Sequence, residues 1–149
     1  MNTVLRLSVI LALLQGLAGP LGAAAAEIAI VANKNYPADQ VTLPELKKIY
    51  LGEKEYEAGI KINPLDQRET NPIRRQFAEQ LLGSSVPAYN GYWLKRVFRE
   101  GTIPPRVREN AREVLESIGN DPGAIGYVLA EEAKERKDLK VLLVVPIRD

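Results

Sequence analysis

Two periods of apolar residues organise this chain. Glu27 to Ala32, E-I-A-I-V-A, is a short apolar run of strand character. Thr42-Leu43-Pro44-Glu45 has capping-box spacing, and Leu43, Leu46, Ile49 and Tyr50 then share one helical face that Gly52 terminates. Glu53 to Gly59 reads as an exposed turn, and Ile60 to Leu65 as a second strand with Pro64 at its end or edge. Ile73, Phe77 and Leu81 return every four residues and predict a helix stopped by Gly83, with Arg75 and Glu79 able to pair on its outer side. Ser84 or Ser85 caps the next helix, along which Val86, Tyr89, Trp93 and Val97 form a stripe. Helical aromatic stripes belong to cores, so Tyr89, Tyr92, Trp93 and Phe98 are assigned to packing rather than to a sugar- or base-stacking platform.

After the loop Gly101 to Pro105, Arg106 and Arg108 face either solvent or a cleft, and Val107, Ala111, Val114, Leu115 and Ile118 predict a fourth amphipathic helix. Ala124 to Val128 is a strand and Leu129 to Lys137 a charged surface helix. Leu139 to Val145 is apolar apart from Lys140, the pattern of a strand covered on both faces. Strands separated by helices predict an α/β domain with a parallel or mixed sheet flanked by helices.

Composition narrows the chemistry. Residues 1–26 combine one positive side chain, an apolar stretch and the small-residue end Ala24-Ala25-Ala26, the pattern of a cleaved signal peptide. The expected domain is then 27–149, in a periplasmic or otherwise extracytoplasmic compartment. The 20 basic and 19 acidic residues nearly balance, which disfavours a broad nucleic-acid face. There is no cysteine and no histidine. That removes disulfides, the Ser-His-Asp triad and the common zinc sites, so a binding role is expected rather than an enzyme, with no cofactor.

The candidate chemistry lies in Asp66 to Phe77, D-Q-R-E-T-N-P-I-R-R-Q-F. Thr70 or Asn71 is placed to cap a helix that opens with Pro72, and Arg68, Arg74 and Arg75 lie close to that start. A helix N-terminus with an arginine fork beside it suits phosphate, sulfate or carboxylate. The same residues also fit a plain surface helix start with solvated arginines.

Several segments together resemble the phosphate ABC transporter substrate-binding proteins, and more closely their short single-domain relatives. They are I-A-I-V-A-N-K-N (28–35), T-L-P-E-L-K-K-I-Y-L-G (42–52), I-N-P-L-D-Q-R (62–68), P-I-R-R-Q-F (72–77), Y-W-L-K-R-V-F-R-E-G-T-I-P-P (92–105) and P-G-A-I-G-Y-V (122–128). The resemblance implies a type 2 periplasmic-binding-protein fold, here a single lobe like the second lobe of a full-length member. It also implies an oxyanion site. Full-length binders carry a loop like R-x-D-x-S-G-T, onto which Arg68 falls as the arginine. Thr70 stands at the aspartate, Pro72 at the serine, and Ile73 and Arg74 at the glycine and threonine. In the short relatives, P-L-R-x-x-F puts the shared arginine on Arg74.

The expected site is therefore Arg68, Thr70, Asn71 and Arg74, with inorganic phosphate or a similar oxyanion as ligand. An ABC transporter permease or a membrane sensor is the implied partner. The alternative is a ligand-free lobe acting through protein partners or as a homodimer, with an exposed apolar patch as its mark.

Overall fold

The computed structural model describes residues 25–149. The expected signal peptide falls almost wholly outside them. In chain order the elements are β1 (Glu27–Asn33), α1 (Leu43–Tyr50), β2 (Tyr56–Glu57), β3 (Ile60–Lys61), β4 (Asn63–Gln67), α2 (Pro72–Gln76, continued by a π-helical turn Phe77–Leu82) and α3 (Val86–Glu100). β5 (Arg106–Arg108), α4 (Ala111–Asn120), β6 (Ala124–Leu129), α5 (Ala130–Ala133) and β7 (Leu139–Pro146) follow.

Five strands form one mixed sheet in the order β5-β4-β6-β1-β7, and β2 pairs with β3 in a small separate hairpin. β4 runs parallel to β5 and β6, and β1 runs antiparallel to β6 and β7. Side chains alternate across the sheet. Ile28, Ile30, Ala32, Ile125 and Tyr127 pack on one face beneath α1, α2 and α3. Ala29, Val31, Ala124 and Val128 pack on the other, beneath Val114, Leu115 and Ile118 of α4 and Ala133 of α5. Gly126 lies under α4 where a Cβ would stand 2.8 Å from Val114 Cγ1, so the missing side chain lets the helix approach.

Local chemistry explains most of the boundaries. Thr42 and Glu45 form the reciprocal capping box expected at α1. Ser85 caps α3 through the Ala88 N–H, and Asn110 caps α4 through the Glu113 N–H. Gly83 and Gly101 end their helices with φ of 67° and 65°.

Six expectations are corrected. Ile60 to Leu65 is not one strand: Ile60–Lys61 turns back on Tyr56–Glu57, and the sheet strand runs from Asn63 to Gln67. Arg106–Arg108 is an edge strand, because its backbone pairs with Leu65–Gln67. Val107 is thereby drawn out of the expected helix and left exposed. β7 is an edge strand paired only with β1, the Val41 N–H also donating to the Leu142 carbonyl, and Leu142 alone is fully buried. The charged helix after Leu129 is a single turn, Ala130–Ala133. On α3, Tyr89 and Trp93 are buried as expected, but Phe98 lies on the opposite side and is 83% exposed. Arg75 and Glu79 form no ion pair within the described residues.

The join between β4 and β6 depends on a close backbone approach. The Asn63 N–H donates to the Gly123 carbonyl at 2.8 Å. A Cβ on Gly123 would stand 2.0 Å from the Lys61 carbonyl oxygen. Gly123→Ala is expected to separate β4 from β6 and to cost on the order of 2–3 kcal/mol, read as a lower urea midpoint.

Candidate functional site

Strands β4, β5, β6 and β7 all point the same way, so their C-terminal ends share one edge of the sheet. α2, α4 and α5 begin at that edge. Open α/β sheets present ligand crevices there. Here a crevice of about 430 Å³ lies between Gln67, Asn71, Ile73, Asn110, Leu129 and Ile147. Its walls are apolar groups and side-chain amides, with Glu132 as the acid.

The four expected residues do not converge as a set. Arg74 is buried beneath the edge. Its Nε is 2.8 Å from Asp66 Oδ1, its Nη2 donates to Asn90 Oδ1 at 3.1 Å, and its guanidinium lies 5.4 Å from the centroid of the Tyr89 ring. Nη1 is buried with no protein acceptor. Asn90 in turn donates to Glu69. Arg68 lies on the surface, its Nη2 2.6 Å from Glu109 Oε1. Thr70 is exposed in the turn. Asn71 does not cap α2: its Nδ2 donates to Gln67 Oε1 at 3.1 Å and to the Glu109 carbonyl at 2.9 Å. The first turn of α2 therefore lacks a side-chain cap.

Asp66 is the hub of the buried part. Its Oδ1 accepts from the Tyr127 hydroxyl, and from the Gln67 N–H at 2.8 Å, beside the Arg74 ion pair. Burial pushes the Tyr127 phenol well above its usual range, and the nearby Asp66 charge adds to the shift. Tyr127 therefore stays a neutral hydrogen-bond donor to that carboxylate. Gln67 spans the strands by donating to the Tyr127 carbonyl at 2.8 Å. The Tyr50 hydroxyl binds the Leu65 carbonyl at 2.8 Å and fixes α1 to β4.

Arrangement and charge define what this edge can do. Arg68 is exposed beside the uncapped start of α2, paired with Glu109 and with Glu69 close by. An incoming anion must displace or share the Glu109 contact, so only modest affinity is available. Among the described residues no group of three or more acidic side chains is placed to hold a metal ion.

No known family model matches the chain. In sequence, 65 residues are 32% identical to Protein spire homolog 2 of Homo sapiens and of Mus musculus, covering 42% of this chain and 9% of those proteins. In fold, the chain is similar to three solved phosphate-transport proteins. One is described as a phosphate ABC transporter substrate-binding protein with bound phosphate, from Clostridium perfringens (TM-score 0.63, 18% identity, 79% of this chain and 45% of that one). An ABC-type phosphate transport receptor from Vibrio cholerae has a TM-score of 0.60 at 18% identity, over 79% of this chain and 46% of that one. PstS from Borrelia burgdorferi has a TM-score of 0.60 at 19% identity, over 79% of this chain and 47% of that one.

The fold is a type 2 periplasmic-binding-protein lobe. The chain spans less than half of each of these structures and under a tenth of the sequence relatives. At these identities the likeness fixes the fold, and the site residues have to be argued from their own geometry.

Sequence reasoning singled out Arg68 and Arg74 but missed their partners. Asp66, Asn90 and Tyr127 come from three elements, and no local motif joins them. The one sequence signal was Tyr127, a polar-tipped side chain inside the apolar segment A-I-G-Y-V.

Proposed function

We propose that the protein is an exported solute-binding module that takes phosphate or a similar oxyanion at the β4–α2 turn, in ABC-type transport or sensing. The observation that carries this reading is the position of the turn. It lies at the C-terminal edge of the parallel strands, with Arg68 exposed beside the uncapped start of α2. The likeness to phosphate receptors supports the choice of ligand. Arg68 supplies the charge, and Thr70, Asn71 and the Ile73 N–H supply hydrogen bonds, since Pro72 has no N–H and the Asn71 and Arg74 N–H groups donate to the Arg68 and Asn71 carbonyls. Arg74 acts indirectly, by holding the turn on Asp66.

Binding to the folded state raises its stability. At low salt, phosphate and sulfate in the roughly millimolar range should therefore raise the melting temperature. Arg68→Ala should abolish that rise while leaving the ligand-free melting temperature within about a degree, because an exposed ion pair contributes little. No rise in the unaltered protein, or an equal rise in the variant, would exclude the site.

A second reading is favoured by the internal pairing of both arginines with Asp66 and Glu109. In it, the lobe is a ligand-free module that works through protein partners.

A further inference from the structure

The outer side of α3 is apolar where a solvated helix face is expected. Leu94 and Phe98, one turn apart, are 60% and 83% exposed, and Ile103, just beyond the helix end, is 82% exposed. Leu94 and Phe98 stand out from the helix surface, whereas Ile103 also borders a recess that it shares with Trp93 and Arg106. Lys95, Arg99 and Arg106 are exposed beside them in sequence and take part in no ion pair within the described residues. Arg96 differs: it is tied to Glu100 at 2.7 Å and supports the buried side. Glu100 is thus already neutralised, so this face combines the exposed Leu94 and Phe98 with the free cations Lys95 and Arg99, and Ile103 and Arg106 extend it beyond the helix end.

That charge selects the occupant. A second copy docked by the same face would set Lys95 and Arg99 against their own counterparts, with no free carboxylate to balance them. An anionic surface meets the cations, and one made of lipid needs no shape complement for the protruding side chains.

We propose that the outer face of α3 and the turn after it dock on an anionic lipid surface. Leu94, Phe98 and Ile103 enter the interface, and Lys95, Arg99 and Arg106 meet the headgroups.

The chain has no cysteine, so one introduced residue provides a unique label. Val97→Cys in the full chain, carrying a polarity-sensitive dye, reports on this face, and Glu131→Cys on α5 is the remote control. Vesicles containing phosphatidylglycerol should shift the Val97 label to the blue and leave the Glu131 label unchanged. Pure phosphatidylcholine vesicles should shift neither. Adding Lys95→Glu and Arg99→Glu should lower partitioning at least about twentyfold, at roughly fivefold per lost cation. Phe98→Ser, a second exposed change, should weaken it about tenfold. Because the comparison is between labels, residues 1–26 contribute equally to both. An unshifted Val97 label, equal shifts at both labels, or a shift that survives charge reversal would overturn the proposal.

Discussion

Arg74→Ala is expected to destabilise the protein by about 3–5 kcal/mol, because it leaves a buried carboxylate without its cation. The Arg74 and Asp66 side chains are 7% and 4% exposed, so water cannot replace the lost partner. The loss spreads through the hydrogen bonds that share Asp66 Oδ1, from Tyr127 and the Gln67 N–H, and through Asn90. Urea denaturation should show the midpoint falling at an unchanged slope. Arg74→Lys keeps the charge but cannot span Asp66 and Asn90 with one planar fork, so it should recover only part of the loss. A cost under about 1 kcal/mol for Arg74→Ala would mean that the pair is solvated and the network does not hold the turn.

Phe77→Ala should cost a similar amount, about 3–5 kcal/mol, through the cavity it leaves. Phe77 is 1% exposed and stacks on Tyr127 with ring centroids 3.8 Å apart and planes 3° from parallel. Its other neighbour is Tyr50, edge-on at 4.7 Å. Tyr127 is the same residue whose hydroxyl binds Asp66, so the cavity and the ion pair share a wall. The double variant Phe77→Ala/Arg74→Ala should therefore lose less than the sum of the two single changes, with a coupling of about 0.5–3 kcal/mol in a double-mutant cycle. Simple additivity would show that the aromatic stack and the Asp66 network act independently.

The fold was legible where a local pattern carried its own cause. The capping box at Thr42, the Ser85 cap, the glycine stops and the apolar run of β1 all act within a few residues. What was not legible depends on pairing across the chain. Arg106–Arg108 has no strand composition and becomes a strand because β4 offers it an edge. Leu139 to Val145 has a fully buried composition but sits at the other edge of the sheet. Phe98 sits on a helix whose core stripe is real, yet points away from it.

The candidate site follows the same division. A helix start with arginines at Asp66 to Phe77 was visible, but the difference between its two candidate arginines was not. Arg74 is the third residue of α2 and is drawn inward by a carboxylate from β4, whereas Arg68 stays at the surface against Glu109. Charge spacing along the chain cannot separate these outcomes, because both arginines have an acid within reach and only burial distinguishes them.

Calorimetric titration of inorganic phosphate into the full chain at low ionic strength tests the binding claim most directly. The expected result is a saturable heat of one-site form, with a dissociation constant in the roughly millimolar range. It should weaken several-fold at about 0.15 M salt and vanish in Arg68→Ala. A flat titration at ten millimolar phosphate, or an isotherm that Arg68→Ala leaves unchanged, would contradict an oxyanion site at the β4–α2 turn.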